Sequence, residues 1–265
     1  MNTETKSASY INIKLNVNGF DVSARYFKKD IDNLFLPLIK TLFDMQKAKR
    51  DRLIVCLAAP PGAGKTTLSH FLSNLSETGR DMAGIQSDKM QHARIQSIGI
   101  DGFHYPQEYI EKHSVIIDGK AIPMKQVKGS PETFDLKRLT NSIRLLQEND
   151  IRWPIYDRNL HDVVRDAVLV KEKVVLIEGN WLLLDEAGWR DLHSFCDYSI
   201  FITAEENMLK ERLIQRKIAG GTSPEKAAAF YAQSDGVNVT RVLTNRLASS
   251  CELTLTKGGR YRSSV

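Results

Sequence analysis

Short runs of apolar residues alternate along this sequence with segments of helical periodicity. Residues 53–58 are all apolar, and residues 174–178 are apolar up to a final glutamate. A strand that is apolar on both faces is typical of the buried interior of a parallel sheet. Further strands are predicted at 95–100, 198–203 and 252–256. Because helical segments separate these strands, the pattern predicts an α/β fold with a mainly parallel sheet.

The helical segments carry apolar residues three and four positions apart. Asp135 precedes residues 136–148 as a natural N-cap, and Ser223-Pro224-Glu225 has the features of another helix start. The apolar stripe of the first of these helices consists of Leu136, Leu139, Ile143 and Leu146. The other predicted helices span about 65–76, 205–219 and 239–248.

Residues 1–50 form a preface to this alternating pattern. Apolar and polar residues alternate over 10–27 around Asn18-Gly19, which is a strong signal for a β-hairpin. From Asp30 to about Lys49 the spacing is helical, with Pro37 at a kink or at the true helix start. We expect this extension to be a structural cover or a contact in a homodimer.

The distribution of charge argues against nucleic acid as a partner. The formal net charge is +5, but residues 1–50 hold nine Lys/Arg against five Asp/Glu, and residues 257–262 add three basic side chains. The intervening segment has 25 basic and 27 acidic residues. The folded body therefore lacks the basic stripe that a nucleic-acid groove needs.

Membrane and metal patterns are also missing from the sequence. No apolar run approaches the roughly 18 residues that span a bilayer, and residues 1–9 are polar, without the apolar region of a signal peptide. Cys56, Cys196 and Cys251 are too widely spaced for a metal site or a disulfide framework. We therefore expect a soluble, cytoplasmic protein with reduced cysteines and no membrane partner.

The stretch 53–67 combines a buried strand, a turn of small residues and a helix start. It fits the P-loop pattern, with Ala59 at a position where that pattern has glycine. Small residues let backbone N–H groups close around an anion at the positive end of the helix. Lys65 would then reach the β- and γ-phosphates of ATP, and the Thr66 hydroxyl would ligate Mg²⁺. The predicted nucleotide-binding residues are Pro61, Gly62, Ala63, Gly64, Lys65, Thr66 and Thr67. A Gly-rich turn without a ligand is the alternative.

Two acids follow predicted strands, at the edge where open α/β sheets bind ligands. Asp101 comes directly after the strand at 95–100 and is our candidate general base; a loop-capping aspartate is the alternative. Glu178 ends the strand at 174–178, where it could orient Mg²⁺ or its water shell, although a purely structural glutamate would look the same.

Polar side chains elsewhere are candidates for binding an acceptor substrate. His104 and Tyr105 follow Asp101 and could line a pocket or simply pack, and Lys128 could hold an anionic group or remain solvated. Residues 154–162 are read as a substrate-binding loop rather than a core strand, because so many hydrogen-bonding side chains lie together there. The candidates in this loop are Tyr156, Asp157 and His161.

A mobile lid is predicted at about residues 212–224. Arg212 and Arg216 are one helical turn apart, so they share a face that could close over phosphates and neutralise charge in the transition state. Pairing with acids such as Glu211 is the structural alternative. Gly220-Gly221 ends the helix and could serve as a hinge.

Taken together, these motifs resemble the uridine kinase, phosphoribulokinase and bacterial pantothenate kinase superfamily, and most closely its nucleoside/nucleotide kinase-like branch with kinases associated with fructose transport. The resemblance is carried, over about residues 50–256, by the P-loop, Asp101-Gly102-Phe103-His104-Tyr105-Pro106, the 128–135 segment, Pro154-Ile155-Tyr156-Asp157 and Glu178-Gly179-Asn180.

The resemblance implies a P-loop kinase domain over residues 51–265, built on a five-stranded parallel sheet with helices on both faces and a lid. It implies that ATP with Mg²⁺ phosphorylates a hydroxyl group of a small molecule. By position, Lys65 and Thr66 serve the nucleotide and Asp101 accepts the proton of the acceptor hydroxyl, whereas Arg212 and Arg216 match the lid only loosely.

The sequence therefore predicts a small-molecule kinase that acts on a sugar, a nucleoside or a pantothenate-like compound. Pantothenate itself fits less well, because His104 stands where pantothenate kinases have leucine. The alternative is a regulatory P-loop NTPase without a small-molecule acceptor. The segment that binds the nucleobase is open, with Asp235 and Asn238 as candidates.

Overall fold

The computed structural model describes residues 10–17, 20–83, 94–117 and 119–263. The predicted Asn18-Gly19 turn and residues 84–93 lie outside this part of the chain. The strands are β1 (Tyr10–Val17), β2 (Phe20–Phe27), β3 (Leu53–Ala58), β4 (Ile95–Gly99), β5 (Ser114–Ile117), β6 (Lys120–Pro123), β7 (Ile151–Asp157), β8 (Asp162–Val170), β9 (Val174–Gly179), β10 (Tyr198–Ala204), β11 (Cys251–Leu255) and β12 (Tyr261–Ser263). The α-helices are α1 (Lys28–Asp30), α2 (Leu36–Ala48), α3 (Lys65–Ala83), α4 (Gln107–Lys112), α5 (Leu136–Glu148), α6 (Glu206–Ala219), α7 (Pro224–Phe230) and α8 (Gly236–Thr244).

The central sheet has the strand order β12-β11-β10-β3-β9-β4. Five of these strands are parallel, as expected, and β12 adds an antiparallel edge through pairs such as Leu255 with Tyr261. The carboxyl ends of β3, β9 and β4 are adjacent, because Ala58 pairs with Gly179 and Gly99 pairs with Glu178. The loops that follow these three strands therefore meet at one edge of the sheet.

Buried apolar layers cover both faces of the sheet. Every residue of β3 and β9 is buried, in agreement with their continuous apolar sequences. On one face, alternate β3 residues starting at Leu53 pack with residues of α2, α3 and α6. On the other face, those starting at Ile54 pack with residues of α5 and the hairpin β7–β8. Among the described helices, none is long and apolar enough to traverse a bilayer.

The N-terminal extension shares the core of the central sheet. Hairpin strands β1 and β2 pair along their whole length, from Tyr10 with Phe27 to Val17 with Phe20. The rings of Tyr26 and Phe71 stack with centroids 3.8 Å apart, which joins the hairpin to α3. Pro37 lies in the first turn of α2, after a π-helical turn at Ile31–Phe35, so it marks the start of this helix rather than a kink within it.

Asp30 fastens this extension to the edge strand β12. Its side chain is 3% exposed, and it accepts hydrogen bonds from Arg260 Nη2 at 2.7 Å and from the Tyr261 backbone N–H at 2.9 Å. The Arg260 guanidinium also lies 3.8 Å from the centroid of the Phe27 ring. One buried carboxylate thus connects residues that are more than 200 positions apart in the chain.

The structure corrects the predicted secondary structure in three places. Residues 154–162 were predicted as a loop, but they form the end of β7, a turn and the start of β8, and Ile155 pairs with Val164 in that hairpin. Helix α3 continues to Ala83 instead of ending near residue 76, and α8 spans Gly236–Thr244 rather than about 239–248. The pairing of β7 with β8 depends on tertiary contacts, which the polarity of the local sequence does not reveal.

Replacing Asp30 with alanine should lower the free energy of unfolding by about 1–3 kcal/mol, because the buried Tyr261 N–H loses its acceptor. The matched control is Asp32→Ala, which breaks only an exposed i,i+4 pair with Lys28 and should cost less than about 0.5 kcal/mol. Urea unfolding measures both changes. Equal losses in the two variants would contradict the role given to Asp30.

Candidate active site

The turn between β3 and α3 is shaped to hold an anion. Gly62 and Gly64 both have φ of +82°, a conformation that favours glycine. A Cβ added at Gly64 would meet nothing within 4 Å, whereas one at Gly62 would lie 3.0 Å from Leu213 Cγ. The first backbone hydrogen bond of α3 runs from Leu68 N to Gly64 O at 2.9 Å. The N–H groups before Leu68 are therefore left without helical acceptors, at the positive end of a 19-residue helix.

Ala59, which departs from the P-loop pattern, causes no strain in this turn. It is completely buried, and its φ is not positive. Alanine is therefore compatible with the backbone at the position where the pattern has glycine.

Lys65 and Thr66 face the end of strand β9. The Thr66 hydroxyl donates to Glu178 Oε1 at 2.9 Å, and Lys65 Nζ lies 3.8 Å from Glu178 Oε2. Glu178 is 5% exposed, and burial raises the pKa of its carboxyl, against the opposing effect of the Lys65 charge. Its Oε2 atom is buried and has no hydrogen-bond partner among the described residues.

These residues fit a nucleotide with bound Mg²⁺. Magnesium in nucleotide sites keeps several waters and takes few protein ligands, so one hydroxyl beside one carboxylate is a suitable donor set. Among the described residues there is no group of three or more His, Cys, Asp or Glu side chains that could hold a metal alone. The unpartnered Glu178 Oε2 is placed to accept from a metal-bound water.

Asp101 lies beside the Glu178 carboxylate, just past the end of β4. It belongs to the 3-10 turn Ile100–Phe103, and its negative charge contributes to the raised pKa of Glu178. The side chain is exposed, and within the described part of the chain it accepts no hydrogen bond from the backbone. A loop-capping role for Asp101 therefore has no support, and its carboxylate is open to the solvent side of the site.

Close packing with the hairpin β7–β8 fixes the Asp101 turn. The Trp153 indole N–H donates to Gly99 O at 2.8 Å. A Cβ added at Gly102 would lie 2.3 Å from Pro154 O, which is closer than any side chain could approach. Glycine at position 102 thus allows the β7 backbone to lie directly against the turn that carries Asp101.

Three of the predicted acceptor-binding residues are brought together next to Asp101. The buried His104 ring stacks on Phe134 with centroids 3.8 Å apart, and it lies 6.1 Å from the Tyr156 ring. Lys128 Nζ donates to the Tyr156 hydroxyl at 3.0 Å. His104, Tyr156 and Lys128 form what we call the acceptor wall.

His104 has a defined protonation pattern in the acceptor wall. Its Nδ1–H donates to Asp101 O at 2.9 Å, because a carbonyl oxygen can only accept. Burial lowers the pKa of the imidazole, with the positive charge of Lys128 acting in the same direction. The neutral ring therefore leaves Nε2 as a hydrogen-bond acceptor.

The other predicted acceptor-binding residues have different surroundings. Asp157 Oδ1 accepts from the Asn159 and Leu160 N–H groups at 2.7 and 3.1 Å, so this carboxylate stabilises the hairpin turn. His161 is exposed in the same turn, with φ of 53°. Tyr105 stacks on Tyr109 with centroids 4.6 Å apart, and burial raises the pKa of its hydroxyl.

The predicted lid arginines are on the exposed side of α6. Arg212 Nη1 donates to Gly62 O at 3.4 Å, which joins α6 to the phosphate-binding turn. Arg216 contributes to the electrostatic surroundings of Asp235, a residue whose Oδ2 atom is buried without a hydrogen-bond partner. Neither arginine forms an ion pair with Glu211 in the described structure. Gly221 has φ of +91°, and Ser223 caps α7 by accepting from Lys226 N–H.

Comparison with known proteins decides the family. Residues 54–232 match the Phosphoribulokinase / Uridine kinase family. The chain belongs to this family. It is therefore a P-loop kinase, and its parallel sheet with helices on both faces is the fold of this kinase superfamily.

Individual relatives agree with this assignment. The Escherichia coli (strain K12) protein named "Uncharacterized protein YggC" is 42% identical over 94% of this chain and 98% of its own length. A "Pantothenate kinase" of Ligilactobacillus salivarius is 25% identical to this chain. The match covers 71% of this chain and 62% of that kinase. The solved structure of a "putative fructose transport system kinase" from Silicibacter sp. TM1040 has a TM-score of 0.68 and 27% identity, covering 82% of this chain and 98% of that one.

Some residues near the site of this P-loop kinase were missed from the sequence. Gln107 Oε1 accepts from Lys128 Nζ at 2.6 Å, and Asn180 has a buried Oδ1 atom without a hydrogen-bond partner. Arg158 belongs to the polar 154–162 stretch that the sequence did single out, and its positive charge partly opposes the raised pKa of Glu178. The position of Asn180 directly after Glu178-Gly179, at the end of a predicted strand, was the one feature of the sequence that could have identified it.

Gly102→Ala should destabilise this kinase by about 1–3 kcal/mol, because the added methyl group displaces the β7 backbone. Gly258→Ala is the matched control, since a Cβ there has only Thr256 Oγ1, at 4.0 Å, as a close neighbour, and it should stay within about 0.5 kcal/mol of wild type. The measurement is urea unfolding followed by tryptophan fluorescence. A Gly102 variant as stable as the control would refute the close packing described here.

Proposed function

We propose that this protein transfers the γ-phosphoryl group of ATP to a hydroxyl group of a small metabolite. The observation that carries the proposal is the position of Asp101. Its carboxylate is exposed, accepts no backbone hydrogen bond, and lies beside Glu178, which in turn contacts Lys65 and Thr66. A free carboxylate next to a phosphate-binding turn is what proton abstraction from an acceptor hydroxyl requires.

On the nucleotide side, the backbone N–H groups of the β3–α3 turn bind the phosphates, and the Lys65 ammonium contacts the β- and γ-phosphates. The Thr66 hydroxyl and Glu178 would hold Mg²⁺, which would supply positive charge to neutralise the transferred group. Arg212 and Arg216 add positive charge from α6. Arg212 already contacts Gly62 O, so a small rotation of its side chain would bring it over the phosphates.

On the acceptor side, Asp101 orients the hydroxyl and accepts its proton as the oxygen attacks. The acceptor wall positions the rest of the molecule, with the Tyr156 hydroxyl and the neutral His104 imidazole available for hydrogen bonds. Holding the two reactants in this arrangement supplies much of the rate enhancement in phosphoryl transfer.

Asp101→Asn should lower kcat by about 10²–10⁴-fold, because the amide keeps the shape of the side chain but cannot accept the proton. ATP affinity should change by no more than a few-fold, since Asp101 does not bind the phosphates. A coupled assay of ADP release in the presence of a panel of hydroxyl compounds measures kcat, and ATP titration measures affinity.

The matched control for this experiment is Asp51→Asn, at an exposed position before β3 and therefore at the opposite end of the sheet. It should retain wild-type turnover. An Asp101→Asn variant with wild-type kcat would remove Asp101 from the mechanism. Slow ADP release that no acceptor stimulates would instead favour the regulatory NTPase.

Lys65→Met should weaken ATP binding about 10- to 100-fold, because a charge-assisted contact to the phosphates is lost. At an ATP concentration 100 times the wild-type Kd, ligand stabilisation should fall from about 2.7 kcal/mol to about 0.4–1.4 kcal/mol. Thermal unfolding with and without Mg²⁺ and ATP gives both values. Lys137→Met, at an exposed position of α5, should retain full stabilisation; equal behaviour of the two variants would contradict the role of Lys65.

A further inference from the structure

The acceptor wall contains a cation that no carboxylate of the described residues neutralises. Lys128 is half-buried, and its ammonium donates to two neutral oxygens, Gln107 Oε1 at 2.6 Å and the Tyr156 hydroxyl at 3.0 Å. Within the described part of the chain, no Asp or Glu oxygen lies within ion-pair distance of Lys128 Nζ. An ammonium has three N–H donors, so one donor and the full positive charge remain for another group.

Several acids on this side of the site, apart from the proposed base Asp101, already accept hydrogen bonds. Asp162 Oδ1 accepts from the backbone N–H groups of Gln107 and Val163, at 2.9 and 2.7 Å. Asp157 stabilises the hairpin turn, and Glu178 accepts from the Thr66 hydroxyl. Rearrangement of Asp162, Asp157 or Glu178 to pair with Lys128 would therefore break an existing hydrogen bond.

Lys128 and the proposed base are connected through the other residues of the acceptor wall. His104 Nδ1 is 2.9 Å from the backbone O of Asp101, and the His104 ring centroid is 6.1 Å from that of Tyr156. Lys128 Nζ lies 5.0 Å from the Tyr156 ring centroid, and its positive charge acts on His104. A small molecule that presents a hydroxyl to Asp101 can extend along the acceptor wall and reach the ammonium with its other end.

Removing a charge partly from water costs free energy unless a counter-charge compensates it. We propose that the acceptor supplies this counter-charge: the substrate is an anionic hydroxyl compound whose carboxylate or phosphate group binds Lys128 while its hydroxyl faces Asp101. This inference rests on the proposed function, and it restricts the acceptors to acids and phosphate esters. Arg158, whose charge acts on Glu178 from the hairpin turn, adds to the positive potential on this side of the site.

The test compares acceptors of equal carbon number that carry no anionic group, a carboxylate or a phosphate. The full-length protein with ATP and Mg²⁺ is assayed for ADP release with ribitol, ribonate and ribitol 5-phosphate, and with the corresponding six-carbon series of glucitol, gluconate and glucitol 6-phosphate. We expect kcat/KM for the preferred anionic compound to exceed that of its neutral partner by about tenfold or more, as a charged hydrogen bond provides. Comparison of the carboxylates with the phosphate esters identifies which kind of anion binds to the acceptor wall.

Lys128→Met should remove that preference by raising KM for the anionic acceptor about 10- to 100-fold, with kcat and the KM for ATP nearly unchanged. Lys128→Arg, which keeps the charge, should recover most of it. Lys125→Met, at an exposed position three residues earlier, is the matched control and should behave as wild type.

Each outcome decides between the proposals. If turnover is faster with neutral acceptors, the proposal of an anionic acceptor is wrong, although the kinase activity stands. The same holds if Lys128→Met leaves the preference for anionic acceptors unchanged. If no compound stimulates ADP release, the proposed function fails for this panel, and thermal-shift binding of the same six compounds then tests Lys128 alone. Stabilisation by the anions that Lys128→Met abolishes supports the inference, and equal binding of neutral and anionic compounds refutes it.

Discussion

The hydrogen bond from Thr66 to Glu178 is the contact on which the rest of the site depends. It joins the first turn of α3 to the end of β9, so the phosphate-binding turn and the neighbouring strand end share one fixed geometry. Glu178 can lie there because β3 and β9 are completely buried parallel strands in register, which bring their carboxyl ends to the same level. The cost of burying this carboxylate appears as a raised pKa, and such a perturbed acid is typical of a functional site.

The same strand ends also bring the acceptor side to the nucleotide side. Gly99 pairs with Glu178 across β4 and β9, and the chain then turns within a few residues to present Asp101. Gly102 and Trp153 lock the hairpin β7–β8 against this turn, and the hairpin in turn supplies Tyr156 to the acceptor wall. These contacts therefore set the position of the Asp101 turn relative to the phosphate-binding turn.

Local sequence was sufficient wherever a short segment decides its own structure. The continuous apolar run of β3, the helix at 136–148 and its Asp135 cap were predicted with their observed bounds, because burial and capping depend on a few neighbouring residues. The hairpin β7–β8 was missed because Pro154 and its polar neighbours resemble a loop until β8 pairs with them. The contact between Lys128 and Gln107 was equally invisible, since it depends on where the folded chain brings separate segments. The capping role of Asp157 is local, to Asn159 and Leu160, but it follows only once residues 158–161 are recognised as a hairpin turn. Strand-end placement alone predicted that Asp101 and Glu178 lie at the carboxyl edge of the sheet, and the pairing of Gly99 with Glu178 brings the two strand ends together.

If the protein works as proposed, the phosphate-binding turn and Asp101 face each other across a gap that one acceptor molecule fills. The decisive measurement is a crystal structure with Mg²⁺ and a non-hydrolysable ATP analogue. We expect phosphate oxygens on the N–H groups of the β3–α3 turn, the metal at the Thr66 hydroxyl, and the terminal phosphate facing the Asp101 carboxylate. Phosphates bound elsewhere, or a terminal phosphate pointing away from Asp101, would contradict it.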